Sequence, residues 1–399
     1  MKTEEIIALE KKYIFQTYSR YPVVITKGKG VKVFDNNGRK YLDFLGGIAV
    51  DTLGHCHPKV TSAVRNQLNK LVHISNLYYT IPQVKLAKLV CRLSGLDRCF
   101  FANSGAEANE AAIKLARKYA KEKLGPDKYE IITARGSFHG RTMATLTATA
   151  QEKIHKGFEP LLPGFKYVNY NDIEDIKSAI NANTCAVLLE PVQGEGGVIV
   201  PSKDYLHQVR RLCDEKGLLL ILDEIQTGVG RTGSFFAFQE FNIKPDIFTV
   251  AKGIGGGLPL GLMLASEKVA SSFTPGSHGS TFGGGPVVCS AGLAVLETII
   301  KCKLLKNAKE TGAYFIEKLN SLKVKYKSIK EARGMGLMLG LELTFPAKEL
   351  TFKLLERGFI INCTNENVLR FLPPLIVTRK QVNELVTALD ETFKELKIQ

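Results

Sequence analysis

The chain's 399 residues carry 54 lysines and arginines against 39 aspartates and glutamates, a net charge of +15, with 45% hydrophobic and 23% charged residues. That length passes the ~250–300 residues at which one core stops growing, so two domains are expected, and the composition is neither that of a disordered chain nor that of a membrane-spanning one. The lysines are interleaved with glutamates and no recognition motif accompanies them, which speaks against nucleic acid and for an attraction to anionic metabolites.

Residues 1–10 mix charged and apolar side chains at helical spacing and lack an apolar h-region, so an opening helix, no secretory signal and a cytoplasmic location are expected. Alternation over 31–45, around Asn37-Gly38, predicts a β-hairpin. A loop from Gly46 to His57 follows, and Pro58 opens a helix bearing Val60, Val64, Leu68 and Leu71. His55 and His57 lack carboxylate or cysteine partners at a matching spacing, so no metal is expected. From about 80 to 265 the pattern alternates: helices over 81–93, 107–122, 171–182 and 202–216, strands over 98–102, 129–134, 186–190, 218–223 and 247–251. Runs such as Ala186-Val-Leu-Leu189 and Leu218-Leu-Leu-Ile-Leu222 are continuously apolar, as in strands covered on both faces. The expected class is α/β with a mostly parallel sheet. A long helix is predicted from 286 to about 305, leading into an α+β region with strands over 328–333, 337–343 and around 368–371. The expected organisation is a large α/β domain over 61–295 and a small α+β domain made from both chain ends. Its parts are an N-terminal helix and β-ribbon over 1–60 and a C-terminal region over 296–399. Eight cysteines, none in a C-x-x-C pair, read as reduced core residues.

Four stretches carry chemistry. Asn103-Ser104-Gly105-Ala106-Glu107 joins a strand to a helix; Ser104 and Glu107 stand in the relation of a capping box, and a small-residue turn at a helix N-terminus also binds anions such as phosphate. Asp223 ends a buried strand, where open α/β sheets bind ligands, and needs a cationic partner; an arginine, a lysine or a protonated pyridine nitrogen would serve. The turn Arg135-Gly-Ser-Phe138-His-Gly-Arg141 offers a ring for stacking and a guanidinium for a carboxylate. Lys252 ends the strand over 247–251 and enters a glycine-rich turn. A lysine desolvated there is a nucleophile that forms Schiff bases, although the position alone better suits one snorkelling to solvent. Together these parts are what pyridoxal phosphate requires. Gly228-Val-Gly-Arg-Thr-Gly233 fits G-x-G-x-x-G but does not directly join a strand to a helix, so no dinucleotide site is expected.

At these residues the sequence resembles the class III (subgroup II) pyridoxal-phosphate aminotransferases of fold type I, and most closely the acetylornithine aminotransferases. The resemblance spans the chain through Gly47-Ile-Ala-Val-Asp-Thr-Leu-Gly-His55, Asn103-Ser-Gly-Ala-Glu-Ala-Asn109, Ser137-Phe-His-Gly-Arg-Thr142, Glu190-Pro-Val-Gln-Gly-Glu-Gly-Gly197, Leu222-Asp-Glu-Ile-Gln-Thr-Gly228, Ala251-Lys-Gly253, Gly279-Ser-Thr281 and Arg370-Phe-Leu-Pro-Pro374. It implies that Lys252 is the Schiff-base lysine, Asp223 the partner of the pyridine nitrogen and Gln226 the neighbour of the ring hydroxyl. Ser104, Gly105 and Ala106 then form the phosphate turn, Phe138 stacks on the ring, and Thr281 reaches the phosphate of a neighbouring subunit's cofactor in a homodimer with shared sites. Many relatives have threonine where Ala106 stands, so one hydroxyl to the phosphate is absent here.

The reaction so implied is transfer of the δ-amino group of N2-acetyl-L-ornithine to 2-oxoglutarate, in arginine biosynthesis. Arg141 would hold the distal carboxylate, Arg370 the one beside the reacting carbon of glutamate, and Glu195 would mask Arg370 while acetylornithine is bound; Ser280 joins the substrate contacts. Ornithine aminotransferases usually carry a tyrosine in the loop that here reads Gly46-Gly-Ile-Ala-Val50, which favours an acylated amine. Free ornithine, succinylornithine, succinyldiaminopimelate and carrier-linked lysine remain open. More distant alternatives are a pyridoxal-phosphate decarboxylase, mutase or racemase, or a non-catalytic binding protein.

Overall fold

A computed structural model describes residues 1–398. Its centre is a seven-stranded sheet built from β4 (Arg98–Ala102), β5 (Glu130–Ala134), β6 (Phe165–Val168), β7 (Thr184–Leu189), β8 (Leu219–Asp223), β9 (Ile247–Val250) and β10 (Gly261–Ala265), in the order β4-β10-β9-β8-β7-β5-β6. Pairs from β6 to β9 are parallel, while β10 runs antiparallel to both β9 and β4. Every residue of β7, β8, β9 and β10 is buried. This is why their sequences are continuous apolar runs rather than alternations: helices cover both faces, and neither presents a polar side.

Two four-stranded sheets flank this one. The first joins β1 (Ile25–Lys29), β2 (Lys32–Asp35) and β3 (Lys40–Asp43) to β13 (Phe359–Ile360), which pairs in parallel with β3. The second is β11 (Ile329–Met335), β12 (Met338–Leu343), β15 (Val368–Phe371) and β14 (Asn362–Thr364). The hairpin around Asn37-Gly38 forms as the alternation predicts, with Val33 opposite Tyr41.

Three expectations need correction. The helix predicted over 286–305 is two helices, Pro286–Lys301 and Leu304–Lys325, with Lys303 between them at φ 53°. The break contains neither glycine nor proline, and apolar periodicity continues across it, so nothing local marks it. Glu107 caps the helix Gly105–Lys123 one residue early: Ser104 Oγ accepts from the Glu107 N–H, but the Glu107 carboxylate takes the Asn103 N–H at 2.6 Å. The cysteines are free as expected, yet Cys56 and Cys302 are exposed; the buried ones are Cys185, Cys213 and Cys289.

Candidate active site

Strand direction gathers the predicted residues. β8 and β9 run in parallel with Asp223 opposite Thr249, so the chain leaves both at one edge of the sheet. Lys252 comes two residues after β9, at φ 48°, a left-handed conformation that a lysine adopts only where its surroundings hold it. The turns after β4, β5 and β7 open at the same edge. Gly105, Ala106, Phe138, Arg141, Glu190, Glu195, Asp223, Ile225, Gln226 and Lys252 thereby line one cavity of ≈ 260 Å³.

At its floor Asp223, 3% exposed, is held by three donors. Ile225 N–H donates to Oδ1 at 3.0 Å, and Asn109 Nδ2 and His139 Nδ1 donate to Oδ2 at 2.7 and 2.8 Å. Asn109 is itself fixed, because Thr249 Oγ1 donates to its carbonyl at 2.7 Å. The carboxylate therefore cannot turn away from the cavity. Lys252 faces it: burial pushes the ammonium below the ordinary lysine range, and the negative charge of Glu195 opposes this only in part.

Phe138 and Ile225 supply apolar surface, and Arg141, exposed at the mouth, lies over the Phe138 ring at 5.7 Å. Gly105 and Ala106 open the 19-residue helix Gly105–Lys123, where N–H groups and the helix dipole favour an anion. A Cβ at Gly105 would come within 2.7 Å of Ile225 Cδ1. The turn can be this close to the Asp223 strand end only without a side chain. Glu190 closes the far side, accepting the Phe138 N–H at 3.1 Å and the Gly194 N–H at 3.3 Å. Burial pushes its carboxyl up to about 7.

A second cluster stands beside Lys252. Arg370, fully buried on β15, donates from Nη1 to Glu195 Oε1 at 2.6 Å and to Gln226 Oε1 at 3.2 Å, and from Nε to Asn362 at 3.2 Å. Its Nη2 is buried without a hydrogen-bond partner among the described residues. Burial alone would raise the Glu195 carboxyl, but Arg370 holds it below the usual carboxylate range.

Ser280 and Thr281 lie outside this cavity. Ser280 Oγ accepts from Asn103 Nδ2 at 3.2 Å and from the Gly283 N–H at 2.9 Å, and Thr281 is exposed. His139, Asn109, Ile225 and Glu190 were not singled out from the sequence. A signal existed for Asn109 alone, a polar residue among the small buried positions Ala108, Ala111 and Ala112 of its helix.

These residues fit pyridoxal 5′-phosphate. The apolar slot between Phe138 and Ile225 suits a flat ring, Asp223 a cationic ring nitrogen, the bare turn at Gly105 a phosphate, and the desolvated amine of Lys252 the aldehyde. An open α/β sheet that places such a lysine beyond β9 defines the pyridoxal-phosphate enzymes of fold type I. The family model for aminotransferase class-III matches residues 13–393. The acetylornithine aminotransferase of Methanocaldococcus jannaschii is 55% identical over 399 residues, all of both chains, and that of Caldanaerobacter subterraneus is 51% identical over 393, 98% of this chain and all of the other. Among solved structures, the ornithine aminotransferase of Toxoplasma gondii superposes with a TM-score of 0.96 at 35% identity, covering 100% of this chain and 96% of that one. The acetylornithine aminotransferase of Elizabethkingia anophelis gives 0.89 at 33%, covering 99% and 100%. The chain belongs to the class-III aminotransferases.

Proposed function

We propose that this aminotransferase moves the δ-amino group of N2-acetyl-L-ornithine to 2-oxoglutarate, giving N-acetyl-L-glutamate 5-semialdehyde and L-glutamate, a step of arginine biosynthesis. The observation that carries the reading is the Glu195–Arg370 ion pair beside Lys252. One site has to take a donor whose reacting carbon lies far from its carboxylate and an acceptor with carboxylates at both ends. Arg141 binds the distal carboxylate of either molecule, and Arg370 binds the second carboxylate of 2-oxoglutarate. With acetylornithine bound, Arg370 has no substrate partner. A lone buried guanidinium is unfavourable, so Glu195 covers it. When Glu195 swings aside, Nη1 and the unpartnered Nη2 form a fork for a carboxylate.

Pyridoxal phosphate, when bound, supplies the carbonyl that takes up the amino group and the ring that takes up the electron pair. Lys252 Nζ, its basicity lowered by burial, would take the proton from the amine-bearing carbon of the donor and, in the second half-reaction, deliver one to the reacting carbon of the 2-oxo acid. Asp223 would hold the ring nitrogen and Gln226 would lie beside the ring hydroxyl. Phe138 would stack on the ring, with Ile225 supplying further apolar lining, and the N–H groups of Gly105 and Ala106 would take the phosphate in a turn that Ser104 caps. Thr281 reaches the phosphate of a second subunit, its exposure in the single chain being the surface that a homodimer covers, and Ser280 orients that loop beside the substrate.

Full-length relatives named for acetylornithine support the choice of donor, as does the loop over 46–50, which offers no side-chain hydroxyl or carboxylate to greet a free α-amine. The close superposition on the Toxoplasma gondii ornithine enzyme favours ornithine as the second reading. A panel of ornithine, N-acetylornithine and N-succinylornithine with 2-oxoglutarate decides. The acetyl compound is expected to lead ornithine in kcat/KM by ~10-fold or more, the range one pocket contact provides; parity or reversal overturns the choice. Residues 1–60 and 296–399 are proposed to form the small domain around a large domain over 61–295, which the β3–β13 pairing supports. A cytoplasmic location is proposed as well; among the described residues no helix is long and apolar enough to cross a membrane.

A further inference from the structure

The loop between β3 and the helix Pro58–Leu68 has an unusual backbone. Gly46, Gly47, Ile48 and Ala49 lie consecutively in the left-handed region, at φ 54°, 63°, 62° and 64°. Glycine tolerates that conformation, but Ile48 and Ala49 do not adopt it without restraint. The loop also touches both halves of the catalytic machinery. A Cβ at Gly253, the residue after Lys252, would collide with Thr52 Oγ1 and come within 3.5 Å of the Ala49 carbonyl. On the other side the Leu372 N–H, two residues beyond Arg370, donates to the Phe44 carbonyl.

One side chain joins the two ends of this loop. His55 Nε2 meets Asp43 Oδ2 at 2.7 Å, and His55 Nδ1 faces Asp51 Oδ2 at 3.7 Å. Asp43 stands at the front of the loop, where its Oδ1 accepts the N–H groups of Leu45 and Gly46 at 2.9 and 2.8 Å. Asp51 stands at the back, one residue beyond the left-handed run, after Val50 at φ −87°. Asp43, Asp51 and His55 bring ligand-type atoms together, but a direct 2.7 Å hydrogen bond closes the cluster on itself rather than leaving it open to an ion. A Cβ at Gly28 of β1 would strike the His55 side chain, and Gly30, just beyond that strand, exchanges N–H to carbonyl hydrogen bonds with the His55 backbone at 2.9 and 2.8 Å.

We propose that His55 is a positioning residue for substrate choice: by strapping Asp43 to Asp51 it holds the strained loop over 46–51 against the Lys252 turn and the Arg370 strand, and so sets the shape of the pocket for the donor's acylated end. The assignment to substrate choice rests on the acetylornithine reading above; the strap itself does not. The strap has a charge requirement. The hydrogen bond that His55 donates to Asp43 raises the His55 pKa against the opposing effect of burial, and Asp51 adds to the rise. The cationic form therefore persists past the ordinary imidazole value and is lost as pH rises through the raised one. Deprotonation leaves one N–H for Asp43 and none for Asp51, so the Asp51 arm releases first.

The test uses the cofactor-loaded enzyme and the variants His55→Ala, His55→Gln and Asp51→Asn, the last two serving if the first does not fold. Amide exchange of residues 46–51, measured without substrate, is expected to quicken by ~10-fold, the effect of losing one charge-assisted hydrogen bond, while β8 and β9 keep their protection. In the unsubstituted enzyme the same amides should lose protection as pH rises through the His55 titration, beyond the change at exposed reference amides, and His55→Gln should lack that inflection. Discrimination between N-acetylornithine and ornithine should fall through KM for the donor, with kcat for glutamate nearly unchanged. Unaltered loop exchange in the variants overturns the strap. Quickened exchange with equal losses on both donors overturns its role in substrate choice. Parity of the two donors in the unsubstituted enzyme would refute the acetylornithine reading and leave the exchange result to judge the strap alone.

Discussion

The roles proposed for Lys252 and Glu195 are separable, and single substitutions separate them. Lys252→Ala removes the amine that, alone among the described residues, lines the cavity, so turnover with every donor should fall by ~10⁴-fold or more with the fold intact by circular dichroism. Glu195→Ala instead uncovers Arg370. The acetylornithine half-reaction should slow several-fold more than the glutamate half in single-turnover traces, and equal losses would remove the gating role. A third residue reports through stability. Glu224 is fully buried beside Asp223, accepting Thr227 Oγ1 and the Phe238 N–H, and burial pushes its carboxyl from 4.5 up to about 7. A carboxyl whose folded pKa is raised supports the fold fully below its unfolded value and loses that support as pH climbs through 7. Glu224→Gln should therefore melt like the parent at pH ~4 and several degrees higher at pH ~8, reflecting at most about 3 kcal/mol. A higher melting point at acid pH instead would show the sign to be wrong.

The elements differ in how openly the sequence announces them. β4 and β15 have the bounds their apolar patterns predict, and Asp223 and Lys252 are legible because strand ends in an open sheet are where charge is tolerated and used. β10 escapes notice: a glycine and four apolar residues after a glycine-rich turn do not reveal a strand that reverses the sheet's direction between β9 and β4. The break at Lys303 is hidden for the reason that left-handed lysines carry no composition signal. Asn109, His139 and His55 are invisible in role because their partners, Asp223 and Asp43, are distant in sequence or chosen by the fold. Where the signal is local, the energetics are local too. Ser104 Oγ caps the helix Gly105–Lys123, so Ser104→Ala should lower stability by ~1 kcal/mol in a urea titration. Cofactor affinity should weaken in step, since the same first turn presents the N–H groups of Gly105 and Ala106. Loss of stability with affinity untouched would detach the cap from the phosphate turn.

At the scale of the whole molecule the single chain leaves large apolar side chains exposed near the Thr281 loop. Leu77 is 87% exposed, Tyr79 98% and Phe282 66%, and Phe282 adjoins Thr281. Large apolar side chains so exposed support the proposed homodimer, whose two-fold axis would bring the Thr281 loop of one copy to the Gly105 turn of the other. If so, Thr281→Asp, which sets a negative charge against the phosphate, damages the partner's site rather than its own. Lys252→Ala damages its own. Chains carrying the two substitutions separately should each be nearly inactive. After mixing and re-association about half of the dimers hold one chain of each kind, and in each of those one of the two sites combines an intact Lys252 with an intact Thr281. Activity should then return to about a quarter of that of the unsubstituted enzyme. A site completed within one chain gives no such recovery, because no re-association could unite the two intact residues.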